Sequence, residues 1–172
     1  MLKFIGCIMI LIGCSSMGVK YSKILSYRTK DLKSLQKAIM ILENEIMYIY
    51  TPVPEAFEKV SHSISGCIGE IFGMASEKLC TNKCNNVFDA IESSMNYCKK
   101  NTYIENKDGE ILLDLSRSLG QWDIDAQKNL FKLTKENIND NLFESREREK
   151  KQGKMFKVLG ISLGATICIL LL

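Results

Sequence analysis

Two apolar segments, one at each end of the chain, constrain this sequence most strongly. Residues 1–19 and 155–172 are apolar except for one lysine each, Lys3 and Lys157. A helix of about 18 residues is about 27 Å long, slightly shorter than the roughly 30 Å hydrocarbon core of a bilayer. Because both lysines lie near segment ends, their side chains can reach the headgroups. We therefore predict transmembrane helices over residues 1–19 and 154–172, with membrane lipid around both.

Basic residues flank both apolar segments on the side of the intervening domain, whereas only Lys3 lies on the other side. They are Lys20, Lys23, Arg28, Lys30, Lys33 and Lys37 after the first segment, and Arg146, Arg148, Lys150, Lys151, Lys154 and Lys157 around the start of the second. Lysine and arginine concentrate on the cytoplasmic side of membrane helices. The charge pattern therefore predicts a cytoplasmic domain over residues 20–153.

An alternative interpretation of the first segment is an export signal. Lys3 would be its basic region, and Leu11–Cys14 (LIGC) resembles the site at which bacterial lipoproteins are processed. The chain would then be an exported lipoprotein anchored at Cys14, with an extracytoplasmic binding domain. The short apolar run and the basic residues that follow it favour the two-helix interpretation.

The region between the anchors is patterned as helices throughout, without the alternation of a half-buried strand. Its first helix carries a heptad seam that is typical of a coiled coil or a bundle helix. The seam consists of Leu32, Leu35, Ile39, Leu42, Ile46 and Ile49. Five further amphipathic segments follow, so we predict an all-α fold, a six-helix bundle held between N-terminal and C-terminal transmembrane helices.

Several helix ends can be predicted from single residues. Pro52 and Pro54 end the first helix, and Thr51 is expected to cap the second. The fifth helix is expected to begin near Glu110. Gly120 is expected to end the fifth helix, and Asp123 to cap the sixth. Beyond Phe143 the sixth helix loses its apolar face, so residues 144–153 are predicted to form a charged stalk that runs bare through solvent to the second anchor.

The sequence offers no pattern that indicates catalysis, a cofactor or a metal. It has neither a phosphate-binding glycine loop nor a nucleophile elbow. His62 is the one histidine, and Cys80 and Cys84 form one close ligand pair where a zinc site wants two. We expect Cys67, Cys84 and Cys98 to pack in or beside the core. The formal net charge is only +3 and the middle of the chain is acidic, which argues against nucleic acid as a partner.

Two glycines of the second anchor could serve helix packing. Gly160 and Gly164 are four residues apart, the small-xxx-small spacing that lets a second membrane helix approach closely. They predict helix pairing within the membrane, including self-association of the chain. Ordinary membrane-helix composition is the simpler explanation of both glycines.

The whole chain resembles the stage III sporulation protein AB family of endospore-forming bacteria. The pieces that carry the resemblance run from end to end. They are Met1–Gly6 with Gly13 and Cys14, Leu32 and Leu35 with Leu42–Tyr48, Thr51–Phe57, Asp114–Gly120 and Lys154–Gly160. Members of this family lie in the mother-cell membrane around the forespore, as part of a channel-like assembly between the two cells.

The resemblance implies a fold, a partner and a role. The cytoplasmic domain of this family is similar to the F-type platform protein of type II secretion and type IV pilus systems, which adjoins a secretion ATPase. By similarity, this chain would be a non-enzymatic membrane partner of a companion ATPase and of other membrane subunits. Pro52–Phe57 and Gly109–Leu112 are similar to helix starts of F-type domains. One F-type domain per chain, rather than two, implies self-association.

Within this resemblance, Glu43 and Glu45 are the expected partner contacts. Both flank the seam of the first helix and match the family pattern. They are expected to be exposed, although a solvated helix face would look the same.

Overall fold

The computed structural model describes residues 2–119 and 124–171, which contain six α-helices and no β-strand. The helices are α1 (Leu2–Glu43), α2 (Val53–Ser63), α3 (Cys67–Cys80), α4 (Val87–Cys98), α5 (Asn106–Ser118) and α6 (Ile124–Leu171), with a π-helical turn (Asn44–Tyr48) directly after α1. The predicted all-α class and the six helices are confirmed. In the same described ranges, no helix has a stretch both long and apolar enough to cross a membrane.

The chain divides into two compact units. The terminal unit consists of residues 1–29 and 143–172, and the central unit of residues 30–142. Each unit contains part of α1 and part of α6, because these two helices are much longer than the other four. We predicted that the first bundle helix begins after residue 19, but α1 already begins at Leu2. No helix-breaking residue separates the apolar segment from the amphipathic one, so a single helix continues through both.

The central unit is built around the predicted apolar faces. Leu32, Leu35, Ile39 and Leu42 of α1 are completely buried, as is Phe131 of α6. The apolar faces of the other helices join the same core. Its buried members there are Ala56, Phe57, Val60, Ile64, Ile68, Ile71, Phe72, Ala75, Ala90, Ile91, Cys98, Leu112, Leu115 and Leu119.

The heptad seam is buried over its first four positions only. Ile46 is half-buried and Ile49 is 53% exposed. The α-helix ends at Glu43, and the π-helical turn rotates the following side chains away from the seam. The heptad pattern assumes an α-helix, so it no longer predicts which side chains are buried once the π-helical turn begins.

Two predicted helix starts are wrong. Thr51 does not cap α2, because its hydroxyl instead donates to Glu45, and Pro52 occupies the N-cap position. The fifth helix begins at Asn106 rather than near Glu110. A capping box forms there, in which the Glu105 and Asp108 side chains each accept from the other's backbone N–H. Gly120 and Asp123 lie outside the described residues.

In the terminal unit α1 and α6 run antiparallel, as three contacts show. The rings of Tyr21 and Phe156 stack with centroids 5.6 Å apart. A Cβ on Gly153 would lie 3.1 Å from Ser22 Oγ. Thr29 Oγ1 and Ser145 Oγ form a buried hydrogen bond of 2.9 Å. The segment 144–153 is helical as predicted, but Ser145 and Gly153 are buried against α1, so the expectation that it runs bare through solvent is wrong.

Candidate interaction surface

The segment after α1 combines an unusual helix with a strained turn. In the π-helical turn the backbone N–H of Ile49 donates to the carbonyl of Asn44, 3.2 Å away. Tyr50 then adopts φ 59°, a left-handed conformation that costs free energy for a residue with a Cβ. Pro52 follows and prevents the helix from continuing. Both π-helical turns and strained residues occur preferentially at functional sites.

Glu43 is held inside the central unit by Lys135. The lysine Nζ of α6 lies 2.7 Å from Glu43 Oε1 and 2.6 Å from Oε2. The Glu43 side chain is only 18% exposed. The carboxylate therefore links α1 to α6 instead of projecting from the helix surface.

Glu45 is held in a similar way on the other side of the turn. Its Oε2 accepts hydrogen bonds from Lys59 Nζ at 2.5 Å and from Thr51 Oγ1 at 2.7 Å. These bonds, first that of Lys59 and then that of Thr51, lower the pKa of the Glu45 carboxyl. The side chain is 13% exposed. The prediction that Glu43 and Glu45 are exposed is therefore wrong, because both are paired within the unit. Their role as partner contacts stays a prediction.

The exposed side chains of this region are aromatic and apolar. Tyr48 is 68% exposed, Ile49 53% and Tyr50 74%, and we call these three residues the aromatic tip. A shallow groove beside Tyr48 is lined by Met40 and by the Glu43–Lys135 pair. Tyrosine is enriched at protein interfaces because it offers a large rigid surface and one hydroxyl. The ion pairs neutralise the charges next to this surface, which makes it a suitable contact for another protein.

The sequence analysis did not single out the aromatic tip. Tyr48 belongs to the motif that carries the family resemblance, but the prediction rested on Glu43 and Glu45, which flank the seam and match the same motif. The two prolines were a usable signal. Pro52 and Pro54 require the helix to end just before them, and residues at a helix end project beyond the packed face.

The other residues singled out from the sequence fall into simple structural roles. His62 is 77% exposed on its side chain and pairs only loosely with Glu58, at 3.8 Å. Asp108 is completely buried, where Oδ2 accepts from the Glu105 N–H and Oδ1 accepts from Asn141 Nδ2. This contact ties α5 to α6. Gly109 lies inside α5 rather than at its start. Gly160 and Gly164 are residues of α6, and helix packing at them stays a prediction.

The cysteines of the central unit occupy different environments. Cys98 is buried, Cys67 and Cys84 are half-buried beside the core as predicted, and Cys80 is exposed. Cys67 Sγ donates to the carbonyl of Cys98, 3.5 Å away. Burial raises the pKa of the Cys67 thiol to about 12, and the nearby Cys98 thiol and the carboxylates of Glu70 and Asp31 act in the same direction.

Comparison with known proteins relates the chain to one family. The family described as stage III sporulation protein AB matches residues 3–172. The stage III sporulation protein AB of Bacillus subtilis (strain 168) is 25% identical over 172 residues, which is 100% of both chains. A solved structure of stage III sporulation protein AB (SpoIIIAB) superposes with a TM-score of 0.66 at 21% identity, and the match covers 72% of this chain and 96% of that one. The last comparison establishes the shared fold.

Proposed function

We propose, from the premise that this chain belongs to the stage III sporulation protein AB family, that it is a non-enzymatic, membrane-attached subunit of a sporulation complex. Its central unit docks a companion secretion-type ATPase on the cytoplasmic side of the mother-cell membrane around the forespore. The observation that carries this proposal is the difference between the two surfaces of the chain. The terminal unit exposes many apolar side chains, whereas the central unit exposes the aromatic tip and a few scattered ones, such as Tyr97 and Leu133.

Membrane attachment is supported by the described side chains of the terminal unit. Its exposed large apolar residues among those described are Met9, Met17, Val19, Tyr21, Ile24, Tyr27, Phe143, Met155, Val158, Leu159 and Ile169. Burying one such side chain completely in an apolar medium is worth about 1.5–3 kcal/mol. Tyrosines and basic residues suit the headgroup region, and Tyr21, Lys20 and Lys23 lie at the inner limit of the first apolar segment.

The antiparallel pairing of α1 and α6 supports attachment to a single membrane. Because Tyr21 stacks on Phe156 and Ser22 lies beside Gly153, the two apolar segments extend from these contacts in the same direction. One bilayer can therefore accept both segments. This arrangement favours the two-helix interpretation over a lipoprotein that is held only at Cys14.

A flotation experiment tests the attachment. The full chain should float with anionic lipid vesicles, and the double change Met9→Asp with Ile169→Asp should lower the membrane partition coefficient by more than about a thousandfold. Each acidic residue in the lipid costs roughly 2.5–3.5 kcal/mol, and 1.4 kcal/mol corresponds to a tenfold change. Met40→Asp is the matched control, because Met40 is an exposed methionine of the central unit. Wild-type protein that stays at the bottom of the gradient would refute the attachment.

Metabolic labelling distinguishes the two-helix interpretation from the lipoprotein interpretation. In cells given a palmitate analogue, the two-helix interpretation predicts an unlabelled Cys14 and a domain that external protease does not digest in intact spheroplasts. A labelled Cys14 together with a digested domain would establish the exported lipoprotein instead.

Docking of the ATPase is proposed to use the aromatic tip. Tyrosines at the centre of an interface commonly contribute 2 kcal/mol or more when truncated, which corresponds to roughly thirtyfold in affinity. The full chain in detergent should co-purify with the companion ATPase, and Tyr48→Ser with Tyr50→Ser together should weaken this binding at least about thirtyfold, the effect of one such residue. Tyr97→Ser is the control, because Tyr97 is 76% exposed elsewhere on the central unit.

Glu43 and Glu45 enter the same experiment as a second pair of variants. The changes Glu43→Gln and Glu45→Gln keep the shape of the side chains while removing the charges that hold the turn. We expect them to weaken binding less than the tyrosine changes. If the tyrosine variants bind the ATPase as wild type does, both with and without nucleotide, the docking proposal fails.

A further inference from the structure

Two cysteines and a glutamate converge where α3 begins and α4 ends. Cys67 is the first residue of α3 and Cys98 the last residue of α4. Glu70 follows Cys67 by three residues, so both side chains project from the same face of α3. The two Sγ atoms and a carboxylate oxygen of Glu70 all lie within 4.8 Å of one another.

This geometry is close to that of a metal site with sulfur and oxygen ligands. In tetrahedral zinc sites the Zn–S bonds are about 2.3 Å long, so two thiolates on one ion lie about 3.8 Å apart. A contraction of about 1 Å from the observed limit would bring the three atoms to bonding positions. Thiolates favour soft or borderline ions such as zinc over magnesium or calcium.

The surroundings add a second reason to expect a cation. Asp31 of α1 and Glu70 of α3 both interact electrostatically with the Cys67 sulfur, so negative charge from two helices lies near it. The carboxylate of Asp31 is fixed by hydrogen bonds from Thr102 Oγ1 at 3.2 Å and from the backbone N–H of Tyr103 at 2.9 Å. A divalent ion would offset this accumulation of negative charge.

We propose that Cys67, Cys98 and Glu70 bind one zinc ion, which joins the start of α3 to the end of α4. Binding displaces the two thiol protons to solvent, and the ion exchanges its hydration water for two thiolates and one carboxylate. Glu70 is exposed, so a water molecule can complete the fourth position. The ion connects two packed helices, and the site does not depend on ATPase docking.

Cobalt and cadmium titrations of the full chain in detergent test the site. Protein purified with a non-thiol reductant and freed of metal should give thiolate charge-transfer absorption at one equivalent of Cd²⁺. It should also give the intense visible absorption of tetrahedral Co²⁺. Cys67→Ser with Cys98→Ser should abolish both signals. The matched control is Cys80→Ser with Cys84→Ser, which removes the other thiol pair of the central unit and should leave both signals unchanged.

Because Cys98 is buried, its substitution also changes the packing of the core. A second variant therefore tests the site at an exposed residue. Glu70→Gln changes an exposed side chain and should weaken Zn²⁺ binding at least about tenfold, since even indirect ligand changes cost 10–100-fold. Glu77→Gln on the same helix should have no effect. Absence of the cadmium band at one equivalent would overturn the proposal. So would a band that disappears with Cys80 and Cys84, or isolation of Cys67 and Cys98 as a disulfide under reducing conditions.

Discussion

Gly69 fixes how closely α2 and α3 approach each other. A Cβ at this position would lie 1.9 Å from the backbone carbonyl oxygen of Ile64 and 3.3 Å from that of Ser61. Both atoms belong to the backbone, so neither can move aside as a flexible side chain would. Gly73, one turn further along α3, would place its Cβ 3.3 Å from the Ser61 side chain only.

We therefore predict that two glycine-to-alanine changes on α3 differ in their effect on stability. Gly69→Ala should lower the free energy of unfolding by about 3 kcal/mol, because α2 and α3 must separate. Gly73→Ala should stay within about 1 kcal/mol of wild type, because the gain in helix propensity offsets a small shift of Ser61. Urea unfolding of both variants measures the difference. Equal midpoints would mean that the close approach at Gly69 is absent in solution.

Glu45 makes stability depend on pH in a defined direction. Its pKa is lowered from 4.5 in the folded chain, so the unfolded chain binds the proton more readily. The stabilisation by Lys59 and Thr51 is therefore fully present above pH 4.5 and is lost as the pH falls through the folded pKa.

The corresponding prediction concerns Glu45→Gln. This variant should lose less stability than wild type does as the pH falls from 6 to about 3, because the change removes one group that must be protonated. Thermal unfolding across this pH range measures the slope. Glu92→Gln, at an exposed position of α4, should follow wild type, and a Glu45→Gln curve parallel to wild type would contradict the assignment.

In the terminal unit, small and polar side chains form part of the contact between α1 and α6. The core of the central unit consists instead mainly of large apolar side chains. Thr29 and Ser145 are buried and hydrogen-bonded to each other, and Thr29 also donates to the carbonyl of Leu25 at 3.2 Å. Serine Oγ is therefore the donor to threonine Oγ1. Small side chains let the helix axes approach, and the hydrogen bond gives the pairing one preferred register.

Removing one partner of this hydrogen bond should lower the free energy of unfolding more than removing both partners. Thr29→Val leaves the buried Ser145 hydroxyl without an acceptor on α1 and should cost about 1–3 kcal/mol. The double variant Thr29→Val with Ser145→Ala should recover part of this loss. Amide exchange of residues 144–153 reports the effect locally, and rapid exchange throughout that segment in wild type would contradict the pairing.

Charge and apolar surface are separated along the chain as a whole. Basic residues outnumber acidic ones beside the terminal apolar segments, and the middle of the chain is mildly acidic. Anionic lipid attracts the former, whereas the exposed apolar side chains of the terminal unit gain from entering the bilayer. The proposed function accordingly places the terminal unit in lipid and the central unit against a protein partner.

Self-association would use the second apolar segment. In a cysteine-free background, a single cysteine at position 160 or 164 should form disulfide-linked dimers on mild oxidation of membranes, because small residues at these positions let two helices meet. A cysteine in place of exposed Leu133 of α6, in the central unit, is the control and should stay monomeric. Monomer at both glycine positions would argue that Gly160 and Gly164 do not pair helices between copies.

The apolar pattern alone determined the helical class, the six helices and most of the core. Steps of three and four residues identify a buried face because the helix repeats every 3.6 residues, and Leu32 to Leu42, Phe57, Phe72 and Phe131 are buried for that reason. Local rules were weaker at the ends. Thr51 binds Glu45 instead of capping α2, and the capping box of Glu105 and Asp108 starts α5 four residues earlier than predicted.

Only the tertiary structure decided which polar groups meet. The pairs Glu43–Lys135, Thr29–Ser145 and Asp108–Asn141 join residues from 33 to 116 positions apart in the sequence, and the group of Cys67, Glu70 and Cys98 spans two helices. Periodicity reports which side of a helix faces inward, but not which residue of another helix lies opposite. That choice depends on the axial positions of the packed helices, which are set by the sum of all their contacts.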